Sequence, residues 1–120
     1  MSRLLVHLAT GPENPTRAAL AMLVARTALA QGHEVDVFIA GDGVQLLRDA
    51  TLDGVRGLGT GDLREHVDAL VAGGARMYAS GMSAKARGVG PDVLGARGVE
   101  AALPDVLVRL TFEADRVLTY

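Results

Sequence analysis

The stretch Leu4-Leu5-Val6-His7-Leu8-Ala9, closed by Thr10-Gly11-Pro12, decides the fold when it is read together with residues 13–43. A short apolar run ended by a turn signal suits a buried strand. Asn14 then offers a side-chain oxygen as helix N-cap, Pro15 fits the first helical position, and Gly32 can close the helix in the left-handed conformation. A helix is therefore predicted over about Pro15 to Gln31, and its leucines, Met22 and many alanines leave so little polar face that it should be covered on two sides. The run Glu34-Val35-Asp36-Val37-Phe38-Ile39-Ala40 alternates, then turns continuously apolar before Gly41-Asp42-Gly43, which predicts a second strand ending in a tight turn. A strand, a helix of several turns and a second strand make a parallel crossover.

Working outward, Val44 to Asp49 predicts a short helix and the glycine-rich Gly54 to Gly61 a loop. The Gly57-x-Gly59-x-Gly61 spacing fails the dinucleotide fingerprint, so it receives no phosphate role. Asp62 and Glu65 have capping-box spacing, and Leu63, Val67, Leu70 and Val71 line one helical face up to Gly73-Gly74. Ala75 to Ala79 predicts a third strand ending at Ser80-Gly81, whereas Met82 to Gly98 shows no clear period. A short strand is expected near Val99, a last helix over Leu103, Val106, Leu107 and Leu110 with Pro104 near its start, and a closing strand over Arg116 to Tyr120. Repeated crossovers imply a parallel sheet covered by helices on both faces, a three-layer α/β/α sandwich, in a single domain spanning residues 1–120.

Composition narrows the function. The 120 residues are 49% hydrophobic and 22% charged with a net charge of −2, which gives no electrostatic reason to expect nucleic acid. The longest nearly apolar stretch, Ala18 to Ala30, is interrupted by Arg26 and Thr27 and is too short for a membrane span, and no signal-peptide pattern opens the chain. A cytoplasmic location is the expectation. There is no cysteine, so thiolate chemistry of every kind is absent from this chain. His7, His33 and His66 fall in a strand, a turn and a helix without metal-ligand spacing, so no metal and no cofactor are expected.

Open parallel sheets bind ligands beyond the carboxyl ends of their strands. Those ends are Thr10-Gly11, Gly41-Asp42-Gly43 and Ser80-Gly81-Met82-Ser83, with Lys85 and Arg87 adding positive charge beside the third. Together they predict a small anion-accepting pocket formed by Thr10, Gly11, Gly41, Asp42, Gly43, Ser80, Gly81, Ser83, Lys85 and Arg87. The alternative is that the glycines only make tight turns, that Asp42 is a turn former and that the cations are solvated. An enzyme would have to use Ser80 or Asp42, yet Ser80 lacks the nucleophile-elbow context and no activating base stands near it in sequence.

Four segments in order, Gly32-His33-Glu34-Val35, Gly41-Asp42-Gly43-Val44, Ser80 to Gly88, and Ala114-Asp115-Arg116-Val117-Leu118-Thr119, carry a resemblance over essentially the whole chain. The chain resembles the DsrE/DsrF-like family of TusD-like sulfur-relay proteins. The resemblance implies a mainly parallel five-stranded sheet between helices, of flavodoxin-like architecture, assembly into dimers, trimers or hexamers, and in active members a cysteine after the third strand that carries sulfur as a persulfide. Here Ser80 stands at that position, eight residues before Gly88. A hydroxyl cannot form or pass on a persulfide, so the catalytic role is lost. The expectation is an oligomeric protein that binds a small anion or sulfur metabolite, or a noncatalytic subunit beside a cysteine-bearing paralogue.

Overall fold

A computed structural model describes residues 2–120. Five strands form one parallel sheet: β1 (Arg3–Leu8), β2 (Glu34–Ile39), β5 (Arg76–Ser80), β6 (Glu100–Ala102) and β7 (Arg116–Thr119), in the order β6-β5-β2-β1-β7. Two further strands, β3 (Arg56–Gly57) and β4 (Gly61–Asp62), form a small antiparallel hairpin where a loop was expected. The helices are α1 (Pro15–Ala30), α2 (Asp49–Gly54), α3 (Leu63–Ala72), α4 (Gly81–Ala86), α5 (Pro91–Ala96) and α6 (Pro104–Glu113). The expected α/β sandwich with a parallel five-stranded sheet is the fold observed.

The strand order explains how the layers are filled. From β1 to β2, β5 and β6 the chain steps toward one edge, so right-handed crossovers put α1, α3, α4 and α5 on one face. The last crossover returns from β6 across β5, β2 and β1 to β7 at the other edge, so α6 must lie on the opposite face. The main core accordingly joins Val6, Leu8, Val37, Ile39, Met77 and Ala79 of the sheet to Met22, Ala25, Val67 and Leu70 of the helices. On the α6 side a smaller cluster is built on Leu5, Phe38 and Leu110.

Asn14 Oδ1 accepts a hydrogen bond from the Arg17 N–H at 3.1 Å, and Gly32, at φ +89°, leaves α1 in the conformation its sequence predicts. Helix α1 is covered on two sides, by the sheet and by α3 with the hairpin. Thr16 clasps the hairpin, its Oγ1 accepting from the Leu58 N–H and its carbonyl from the Thr60 hydroxyl, both at 3.1 Å. A Cβ at Gly57 would lie only 3.0 Å from Ala19 Cβ, so glycine permits this close approach. Buried His66 fixes the other side: its Nε2 is 2.7 Å from the Thr60 carbonyl, which can only accept, so that nitrogen bears the proton and Nδ1 accepts from Arg26 Nη1 at 3.3 Å.

Two further local expectations are corrected. The capping box does not form: Asp62 belongs to β4 and its carboxylate faces Arg56 across the hairpin at 3.7 Å, while Glu65 reaches Arg26 at 3.2 Å. The short helix expected over Val44 to Asp49 is a 3₁₀ segment over Gly41–Leu47 followed by α2. The stretch without a period, Met82 to Gly98, contains most of α4 and all of α5, each six residues long, too short to show one. No helix among the described residues is long and apolar enough to cross a membrane.

Candidate functional site

Strands β5 and β6 are neighbours whose last paired residues are Ser80 and Ala102. From Ser80 the chain turns into α4 on the α1 side; from Ala102 it turns into α6 on the other side. Adjacent strand ends whose connections part to opposite faces create the crevice where open α/β sheets bind their ligands. In this chain β5 and β6 are such a pair of strands.

The other predicted site loops reach the same end of the sheet and hold one another. Gly41 N–H donates to Ser83 Oγ at 2.9 Å, and Ser83 N–H donates to Ser80 Oγ at 3.1 Å, so Ser80 caps α4. Arg87 Nε donates to Asp42 Oδ1 at 3.1 Å and its Nη1 to the Ser83 carbonyl at 3.2 Å. Gly11 packs so closely on Asp42 that a Cβ there would collide with the Asp42 carbonyl, and a Cβ at Gly43 would lie 2.8 Å from the Leu8 carbonyl oxygen. Thr10, which precedes Gly11, is buried. Eight of the ten predicted residues thus form a connected crest in which neighbouring backbone occupies the space beside Gly11 and Gly43, and Arg87 is neutralised by Asp42, while Gly81 begins α4 beside it. Lys85 stands apart: it forms no ion pair among the described residues and lines a separate cleft.

That cleft, of about 460 Å³, lies between α4, α5 and β6 and is lined mainly by Gly81, Ala84, Val89, Leu94 and Ala101. Sequence reasoning missed it because its walls are small apolar residues scattered over a stretch with no period. Two arginines fix those walls to the 3₁₀ segment and its C-cap: Arg48 Nη2 donates to the Arg87 carbonyl at 2.7 Å, and Arg97 Nε to the Leu47 carbonyl at 3.2 Å. Arg97 also pairs with Asp49, as does Arg64 at 3.0 Å. Hydrogen bonding from Arg64, helped by the charge of Arg97, holds the Asp49 carboxyl below the usual carboxylate range. A cleft of about 410 Å³ at the amino-terminal edge is lined by Arg3, His33, Asp115 and Arg116, but no carboxyl strand end reaches it. Its Asp115 carboxylate already accepts the Arg3 N–H at 2.7 Å.

Comparison with known proteins places this arrangement. The sequence model of the DsrE/DsrF-like family matches residues 3–120. The chain belongs to the DsrE/DsrF-like family. A Methanopyrus kandleri relative of this DsrE/DsrF-like protein, MK0008, is 31% identical over 118 residues, which is 96% of this chain and 91% of that protein. The fold is shared with the ychN protein of E. coli, at a TM-score of 0.80 and 18% identity over all of both chains. It is shared also with MTH1491 of Methanobacterium thermoautotrophicum, at a TM-score of 0.74 and 20% identity, again over all of both chains. Ser80, at the end of β5, has its hydroxyl engaged as the α4 cap.

Proposed function

We propose that this DsrE/DsrF-like protein is an oligomeric binding protein for a small anionic ligand, with no persulfide chemistry of its own, and that the ligand enters at the crevice between β5 and β6. The observation that carries this reading is the open cleft bordered by Gly81 and Lys85, next in sequence to Ser80, the position at which the resemblance puts the family's cysteine. The crest of Thr10, Gly11, Gly41, Asp42, Gly43, Ser80, Ser83 and Arg87 is the frame that holds the cleft wall, and Lys85 is the unpaired cation beside it. No base is hydrogen-bonded to the Ser80 hydroxyl, and Asp42 is committed to Arg87, which speaks against turnover by either. Calorimetric titration with sulfite and thiosulfate as probes tests the reading. Saturable binding that is weakened in Lys85→Glu and in Ser80→Trp is expected; no saturation with either probe, or binding unchanged in both variants, overturns it.

A second reading, an interaction module, is favoured by a different surface. On α6 the inward residue Leu110 is buried, while Val108 and Phe112 point away, Phe112 being 86% exposed. Strand β7 pairs only with β1 and leaves Val117 and Leu118 partly exposed. An apolar outer ridge next to an open sheet edge suits another chain, either a second copy or a paralogue that retains the cysteine.

A further inference from the structure

We infer that the ligand of the α4–α5 cleft is an amphipathic anion, an unbranched aliphatic chain ending in a carboxylate, with the chain in the cleft and the carboxylate at Lys85. The inference rests on the reading of the crevice as a binding site and names the ligand class. A bare oxyanion would use only the Lys85 end of this cleft and bind weakly: Ala84, Val89, Leu94 and Ala101 give the rest of it a wall of methyl and methylene groups. Gly81 and Gly88 keep the backbone low along one side, and Lys85 is the cationic side chain of the lining. The nearby Arg87 is turned away, paired with Asp42 at 3.1 Å, so it does not compete for the carboxylate. Ala84, Val89 and Leu94 are buried members of the main core, so the wall is rigid and largely formed before any ligand arrives. The volume of about 460 Å³ lies in the usual range for small-molecule sites and exceeds what an inorganic anion would fill. Lys85 and the apolar lining together therefore select a molecule with one charged end and an apolar body.

The test is a titration series with acetate, butyrate, hexanoate and octanoate, each below its micellar concentration, on the wild-type chain, Lys85→Ala and Ala101→Phe. Ala101 is exposed on the cleft rim, so the added ring enters the cleft without disturbing buried packing. Affinity is expected to rise about fourfold per added methylene until the cleft is full. Lys85→Ala should weaken every member by up to about fivefold while the slope with chain length persists. Ala101→Phe should abolish that slope. If sulfite, thiosulfate and acetate bind but affinity does not rise with chain length, the aliphatic assignment is wrong while the crevice still binds anions. If the slope survives in Ala101→Phe, the chain lies elsewhere and the inference is overturned. If none of these probes binds, both the inference and the reading beneath it fall.

Discussion

The Gly41 amide donates to the Ser83 hydroxyl at 2.9 Å, across 42 residues of sequence, and so ties the end of β2 to the first turn of α4. Removing the acceptor leaves a partly buried N–H without its partner, at a cost of about 1–3 kcal/mol. Ser83→Ala should lower the denaturant midpoint accordingly with an unchanged m-value. Ser83→Thr, which keeps the hydroxyl, should restore most of it. Equal stability of Ser83→Ala and the wild type would mean that the bond is not maintained in solution.

Asp36 is fully buried on the α6 side of β2, where Arg3 Nε reaches one carboxylate oxygen at 2.8 Å and Arg76 Nε the other at 2.5 Å. The guanidinium of Arg3 is held above its usual range, chiefly by the hydrogen bond to Asp36. Deleting the carboxylate removes charge-assisted hydrogen bonds but leaves two arginines that reach water, so Asp36→Ala should destabilise by about 1–3 kcal/mol. Urea unfolding measures this, and a loss below about 1 kcal/mol would show that the cluster is solvated.

His7, half buried and edge-on to Phe38 with ring centres 6.2 Å apart, has its pKa lowered from 6.5 by burial. The folded state therefore binds this proton less readily than the unfolded chain. Its contribution is fully present above pH 6.5 and is lost as pH falls from there through the lowered folded value. His7→Gln should flatten that part of the stability–pH profile measured by thermal melting. An identical slope in the variant would exclude His7 as its source.

Much of the fold was legible because parallel strands buried on both faces read as apolar runs between turn signals, as in Leu4 to Leu8 and Val37 to Ile39. What stayed hidden was short or paired over distance. Alternation in Glu34-Val35-Asp36 reads Asp36 as solvent-facing, and only the tertiary approach of Arg3 and Arg76 lets it be buried. Two-residue strands and helices of six residues are too brief to show a period, so the hairpin, α4 and α5 were unreadable. That the loops at Thr10, Gly41 and Ser80 meet at one end of the sheet was legible from the rule for carboxyl strand ends. The division of labour among them was not, because the Asp42–Arg87 pair and the separate cleft beside Lys85 arise from contacts between distant segments.

The outer ridge of α6 should govern assembly. Phe112→Glu places a charge where Phe112 is 86% exposed, so it should leave the monomer folded but lower the mass seen by light scattering if this ridge joins copies. Leu110→Ala, on the inward side, should instead cost about 2–5 kcal/mol of stability through the cavity it leaves against Leu5 and Phe38. An unchanged mass in Phe112→Glu would remove α6 as the interface.

Amide chemical-shift mapping during titration with octanoate tests the central claim, that ligand binds where β5 and β6 end. Shifts concentrated in Ser80 to Gly90 and Leu94 to Leu103, saturating together and absent from the edge formed by Arg3, His33 and Asp115, are the predicted result. Shifts centred on that amino-terminal edge instead, or none that saturate, would contradict the account.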